Sequence, residues 1–114
     1  MNYESMQSCI DECVECAIEC ENCATECLNE ENVKMMTHCI ALNRQCASVC
    51  RSAAELMSIG GNHASLICQV CADICDACAQ ECERHADHMD HCRECAEECK
   101  SCAEECRMMV AQHV

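Results

Sequence analysis

Cysteine spacing is the feature that most constrains the fold of this chain. Within each of four groups, successive cysteines are three or four residues apart, except for one step of seven. The groups are Cys9, Cys13, Cys16, Cys20, Cys23 and Cys27; Cys39, Cys46 and Cys50; Cys68, Cys71, Cys75, Cys78 and Cys82; and Cys92, Cys95, Cys99, Cys102 and Cys106. Alternating steps of three and four keep all cysteines of a group on one stripe of an α-helix. A strand would need steps of two. The spacing therefore predicts four helices.

An internal repeat supports the helices. Residues 16–27, 71–82 and 95–106 share the pattern Cys-Ala-x-x-Cys-x-x-Cys-Ala-x-x-Cys. The spacing of three and four residues is interrupted three times along the chain. At the second interruption Gly60 and Gly61 favour a helix end, and Asn62 could cap the next helix. We predict helices near residues 4–28, 33–57, 62–85 and 89–112. Short connections favour antiparallel neighbours. The predicted fold is one all-α domain, residues 1–114, an antiparallel up-down-up-down four-helix bundle with a cysteine-lined core.

The composition indicates that the thiols are reduced. The chain has one Tyr and no Phe, Trp or Pro, so Cys, Ala and Met must fill much of the core. An odd number of cysteines, 19, leaves at least one unpaired in any disulfide scheme within a monomer. No signal peptide is visible at the N-terminus, and disulfide-rich miniproteins tend to be loop-rich, unlike this helical pattern. We therefore expect a cytosolic protein.

Charge limits the partners of the chain. The formal net charge is −14, from 21 acidic and 7 basic residues. Such a balance disfavours nucleic acid and anionic membrane surfaces. No stretch of 18 apolar residues occurs, so no membrane-spanning segment is expected.

Thiolates select soft or borderline metals, chiefly Cu(I), Zn(II) and iron–sulfur clusters. A Cu(I) ion that replaces one thiol proton leaves the core charge unchanged. Zinc held by four thiolates carries a charge of −2, and several such sites would bury many uncompensated charges. Thiols at positions i and i+4 of a helix can converge on one two-coordinate ion, whereas tetrahedral zinc needs four converging thiolates. The sequence therefore favours binding of many Cu(I) ions per chain.

The two ends of the predicted bundle differ. Extending the register places Met6, Met57 and Met109 at one end. The other end contains the residues that are candidates for admitting metal: His38, His85, His88, His91, Met35, Met36 and Met89. Of these, His85, His88 and Met36 fall on the core register, and the others lie close to it. A solvated polar turn and a methionine plug are the simpler interpretations of these residues. His63 and His113 fall near the methionine end and stay unassigned.

The four cysteine groups, the sparse second group and the His-rich turn before Cys92 together resemble the cytosolic copper storage proteins of bacteria, along the whole chain. This resemblance implies a four-helix bundle with inward cysteines, loading with many Cu(I) ions, assembly as a homotetramer, and metal access through His and Met at an open end. A copper chaperone or a small molecule would supply the metal. Asn43 and Ala53 depart from a fully thiol-lined tube, so the second helix should contribute fewer ligands.

Three alternatives stay open. A zinc or general soft heavy-metal buffer would use the same thiols. A thiol oxidoreductase would use one Cys-x-x-Cys pair, but the βαβ context of a thioredoxin-type motif is missing. An iron–sulfur carrier would normally have its ligands in sets of four for each cluster. We expect a protein that is not an enzyme.

Overall fold

The computed structural model describes residues 3–112 and contains four long helices. They are α1 (Tyr3–Leu28), α2 (Thr37–Ile59), α3 (Ala64–Glu83) and α4 (Asp90–Gln112), with a short 3₁₀ turn at Val33–Met36 before α2. The helices run up, down, up and down in a bundle with principal extents of 46 × 19 × 17 Å. The predicted fold class is confirmed. None of the described helices is both long and apolar enough to cross a membrane.

The helix ends follow local chemistry but differ from several predicted bounds. Helix α2 begins at Thr37, four residues later than predicted, because Val33–Met36 form the 3₁₀ turn. It ends at Ile59, two residues past the predicted end, where Gly60 and Gly61 have φ angles of 89° and 105°, which residues with a Cβ rarely adopt. The predicted cap at Asn62 is wrong, because α3 begins at Ala64 after His63 and no side-chain hydrogen bond caps it. At its other end α3 stops at Glu83, two residues early, and residues 84–88 form a turn.

Seven alanines that directly follow a core cysteine are buried as well. They are Ala17, Ala24, Ala47, Ala72, Ala79, Ala96 and Ala103. The separation of packed helices depends on the side chains at their contact, so a methyl group at these positions lets neighbouring backbones approach closely. The repeat unit Cys-Ala therefore has a structural purpose: the alanine brings the helices near enough for thiols of different helices to meet.

The bundle ends are arranged largely as the register predicts. Met6, Met57 and Met109 are buried, at 3% exposure or less, where α1 and α3 begin and α2 and α4 end; this is the methionine end. At the opposite end α1 and α3 finish and α2 and α4 begin, and Met36 is fully buried there. We call this end of the bundle the histidine end, since His38, His85, His88 and His91 lie there. His113 lies outside the described residues.

Candidate metal centre

All 19 cysteines point into the bundle. Cys9 is 3% exposed and the other cysteines are 0% exposed. Every one is a free thiol. The core is thus a buried column of sulfur atoms, as the heptad spacing predicted, and no disulfide bond crosslinks it.

Thiols meet both along one helix and between helices. Pairs at i and i+4 have sulfur–sulfur distances of 4.0 Å for Cys16–Cys20 and 3.9 Å for Cys46–Cys50. Pairs between helices are at least as close, at 3.5 Å for Cys50–Cys71 and 3.7 Å for Cys39–Cys82. Sequence spacing identified the first kind of pair. The second kind depends on how the helices are offset along the bundle axis, which spacing within one helix does not encode.

Contacts between helices create sets of four thiols. In each set the four sulfurs lie within 4.8 Å of one another, and the sets include Cys13, Cys71, Cys102 and Cys106; Cys16, Cys46, Cys50 and Cys75; Cys16, Cys20, Cys46 and Cys99; Cys20, Cys78, Cys95 and Cys99; and Cys23, Cys27, Cys39 and Cys92. Several sets share sulfurs, so one thiolate could bridge adjacent ions. The convergence of four thiols that zinc requires is therefore present, and only the charge argument still disfavours zinc.

Hydrogen bonds divide the thiols into more and less acidic members. Hydrogen bonds with Cys27 and Cys39 lower the pKa of the Cys23 thiol. Hydrogen bonds with Cys16 and Cys20 raise the pKa of the Cys99 thiol. A hydrogen bond to the charged form of a group favours that form, so the thiols of the column differ in acidity with their hydrogen-bond partners.

Among the histidines at this end, His91 contacts the thiols. Its Nδ1 atom lies 3.4 Å from Cys23 Sγ and 3.6 Å from Cys92 Sγ. Its Nε2 atom lies 3.5 Å from a carboxylate oxygen of Glu30, in the connection between α1 and α2. Burial lowers the pKa of His91, but the Cys23 sulfur and the Glu30 carboxylate outweigh burial and raise it above its usual value. Sequence reasoning missed Glu30, since no local spacing links it to His91.

The other candidates at the histidine end have different surroundings. His85 is partly buried, and its Nε2 atom lies 3.0 Å from the carboxylate of Glu81, which is itself 7% exposed. The spacing of four between Glu81 and His85 was a signal for this pair that the sequence analysis did not use. The expectation that His88 faces the core on the register of the fourth helix is wrong, because α4 begins only at Asp90 and His88 lies exposed in the turn before it. His38, His88 and Met35 are exposed, whereas Met89 is partly buried.

Asn43 occupies a core position of α2 between Cys39 and Cys46, where the register would place another cysteine. It is fully buried. Its amide nitrogen donates to Cys39 Sγ at 3.7 Å, and its Oδ1 atom accepts hydrogen bonds from Cys78 at 3.1 Å and Cys95 at 3.4 Å. Both ends of the amide are therefore satisfied by thiols, as buried polar groups require.

A partly buried carboxylate, that of Glu98, lies between α1 and α4. One oxygen of Glu98 is buried without a hydrogen-bond partner among the described residues. Burial and the neighbouring Glu12 carboxylate raise the pKa of Glu98 to about 8. The folded protein thus holds this proton at pH values where the unfolded chain has released it, and stability falls as pH rises from about 4.5 to 8.

We expect Glu98→Gln to stabilise the metal-free protein by about 1 kcal/mol at pH 8, a figure reduced for solvent screening, and to have no effect at pH 4. The melting temperature should rise by a few degrees at the higher pH only. Anaerobic thermal melts at both pH values measure this difference. Glu97→Gln, at the exposed neighbouring position, is the control. An equal shift at pH 4 and pH 8 would show that the proton is not responsible.

Comparison with known proteins places this core in a family. The family model described as copper storage protein matches residues 2–111. Comparison with curated protein sequences finds no significant match. Among solved structures, a cytosolic copper storage protein from Streptomyces lividans with five coppers is 41% identical, with 96% of this chain and 94% of that chain covered and a TM-score of 0.91. The same organism's protein loaded with 10 copper equivalents is also 41% identical, with 95% and 85% covered and a TM-score of 0.89.

A further similar structure is the Cu(I)-bound copper storage protein BsCsp3, at 41% identity and a TM-score of 0.87, with 92% of this chain and 97% of that chain covered. The match therefore includes the fold and nearly the whole length of both chains. The buried thiols suit a soft, monovalent cargo that can occupy the column repeatedly. On the family model and these structures together, the chain belongs to the copper storage protein family.

Proposed function

We propose that this protein stores Cu(I) in the cytosol, binding many ions per chain through its 19 buried cysteines. One observation carries the proposal: all the thiols are reduced and turned inward, and most of them lie 3.5–4.0 Å from another sulfur. Each Cu(I) takes the place of one thiol proton, which leaves to solvent, and copper keeps its oxidation state. The role is storage without catalysis.

Charge balance decides between copper and zinc. Replacing protons by Cu(I) keeps the column neutral at any level of filling. No Lys or Arg is buried among the described residues, so nothing in the core compensates for the charge of zinc tetrathiolate sites. The converging sets of four thiols suit zinc in geometry, and a zinc or general heavy-metal buffer is therefore the second candidate.

The experiment that tests storage is an anaerobic titration of reduced protein with Cu(I) in competition with a coloured Cu(I) chelator. We expect well over ten equivalents per chain to be withheld from the chelator. Retention of four or fewer would overturn the proposal, because one set of four thiols would account for it. Brown colour in freshly purified protein would instead indicate iron–sulfur chemistry.

The histidine end admits the metal in this proposal. His91 is the imidazole in contact with thiols, and neutral imidazole is a ligand for copper. His38, His88 and Met35 are exposed at the same end, His85 and Met89 are partly buried, and Met36 is fully buried. An arriving ion can therefore pass from exposed nitrogen and thioether groups inward to Cys23 and Cys92. The buried methionines close the opposite end.

We expect His91→Ala to slow the first phase of Cu(I) uptake about tenfold while reducing total capacity by no more than about one equivalent. The reason is that the variant loses the only imidazole placed against Cys23 and Cys92 among the described residues. Uptake from a coloured Cu(I) complex, followed anaerobically by absorbance, gives both quantities. His63→Ala, an exposed histidine at the methionine end, is the matched control. Equal rates in the two variants would remove His91 from the route.

Assembly and copper supply complete the proposal. Exposed apolar side chains on α1 and α3, including Ile18 at 64% and Leu66 at 57% exposure, offer surface for the homotetramer that the family resemblance implies. Light scattering after size exclusion measures the assembly. A copper chaperone or a small-molecule complex would deliver Cu(I) by ligand exchange.

A further inference from the structure

One ring nitrogen of His91 is buried without a hydrogen bond. The Nδ1 atom faces the thiols, 3.4 Å from Cys23 Sγ and 3.6 Å from Cys92 Sγ. The Nε2 atom, on the other side of the ring, is shielded from solvent and has no hydrogen-bond partner among the described residues. Leaving a buried polar atom unsatisfied costs free energy, so such atoms are rare in native proteins. The unsatisfied nitrogen therefore points to a group that engages it.

Glu30 is the carboxylate placed to engage this nitrogen. One of its oxygens lies 3.5 Å from Nε2 of His91, at the outer limit of hydrogen-bond distance. The Glu30 side chain is 34% exposed, so it has room to turn. A small rotation of the carboxylate would bring its oxygen to about 3 Å from the nitrogen, the usual length of an N–H···O hydrogen bond.

The backbone holds Glu30 beside the same thiols. Its N–H group donates to the carbonyl oxygen of Cys27 at 3.2 Å, in the turn that directly follows α1. Cys27 belongs to the set of four thiols that also contains Cys23 and Cys92. The imidazole of His91 therefore lies between a carboxylate and a set of thiols, and the turn that carries the carboxylate is anchored to a member of that set.

A carboxylate beside one ring nitrogen selects the form of the neutral imidazole. Neutral histidine carries one ring proton, and a carboxylate that accepts a hydrogen bond from Nε2–H keeps the proton there. Nδ1 then presents its lone pair to the thiols, where an arriving Cu(I) ion binds. Without the carboxylate the proton can occupy Nδ1 and donate to a sulfur, which blocks that nitrogen as a ligand. Carboxylates commonly orient metal-binding histidines in this way.

Taking the proposed entry of Cu(I) past His91 as given, we propose that Glu30 is a positioning residue for that histidine. Its carboxylate holds the ring proton on Nε2 and directs the lone pair of Nδ1 at the thiols. Glu30 does not touch the metal. The imidazole receives Cu(I) on Nδ1 and passes it to Cys23 or Cys92 by ligand exchange. The sulfur that accepts the ion gives up its proton to solvent, and copper stays monovalent.

Nitrogen-15 NMR of reduced, metal-free protein with labelled histidine at pH 8 tests the position of the proton. Neutral His91 in wild-type protein should be protonated mainly on Nε2. In Glu30→Ala the ratio of the Nε2–H form to the Nδ1–H form should fall about tenfold, the equivalent of one hydrogen bond. Glu30→Gln keeps a carbonyl acceptor and should retain most of the preference. The same ratio in wild type and Glu30→Ala would overturn the proposal.

Anaerobic uptake of Cu(I) from a coloured chelator complex tests the consequence for loading. Glu30→Ala should slow uptake about tenfold, the effect typical of removing a group that orients a metal-binding histidine, with total capacity unchanged. Glu31→Ala removes the same charge at the exposed neighbouring position and should load like wild type. The double variant Glu30→Ala/His91→Ala should load no more slowly than His91→Ala, because Glu30 acts only through the ring.

The double variant separates positioning from attraction of cations. Additive losses of rate in it, or equal losses in Glu30→Ala and Glu31→Ala, would show that Glu30 acts by its charge and would overturn the positioning role. Wild-type rates in His91→Ala would instead overturn the route past His91. The NMR ratio would still show in that case whether Glu30 holds the proton on Nε2.

Discussion

Filling the core with Cu(I) should raise the melting temperature of the protein by more than about 20 °C. A ligand that binds only the folded state at a thousand times its dissociation constant contributes about 4 kcal/mol at each site, and many sites act together here. Each kcal/mol shifts the melting temperature of a domain of this size by a few degrees. Metal binding and folding are thus linked.

The metal-free core explains why the effect should be so large. Its side chains are mostly thiols and methyl groups, and each of these buries less apolar surface than the Leu, Ile or Phe of an ordinary core. Bonds from Cu(I) to sulfurs of different helices, such as Cys50 and Cys71 or Cys39 and Cys82, replace weak contacts by crosslinks.

Anaerobic calorimetry of metal-free and fully loaded protein measures this shift. The control is loaded protein stripped by excess chelator, which should return to the metal-free midpoint. An unchanged midpoint at full occupancy would show that copper lies outside the contacts between helices.

Zinc should load poorly and should leave when Cu(I) is added. Nineteen thiols can complete at most four separate sites of four thiolates. Filling all four would place a charge of about −8 in a column without buried cations, at several kcal/mol for each uncompensated charge. We therefore expect fewer than four zinc ions per chain to survive dialysis against a chelator of moderate affinity.

Addition of Cu(I) to the zinc-loaded protein should release all its zinc to a coloured zinc indicator. The parallel control loads metal-free protein with Cu(I) under the same conditions and should reach well over ten equivalents. Four tightly held zinc ions that resist Cu(I) would favour the heavy-metal buffer instead, since they would show that the charge penalty is overcome.

Much of this core could be predicted from spacing because helix periodicity is local. Steps of three and four place cysteines on one face whatever the neighbouring helices do, and all 19 cysteines are indeed buried. Asn43 and Ala53 lie in the core for the same reason. His88 does not, because α4 begins only at Asp90 and the register of that helix does not extend back into the turn.

The sequence by itself determined four helices, an inward row of thiols on each, and a preference for a soft monovalent cation through charge balance. Only the tertiary structure decided which thiols of different helices form sets of four, that His91 contacts both Cys23 and Glu30, and that Asn43 hydrogen-bonds to thiols of three helices. The reason is physical: which face a residue occupies follows from rotation along its own helix, whereas contacts between helices depend on axial offsets and on the path of the turns. Those offsets are set by packing of the whole bundle, in which buried alanines allow close approach.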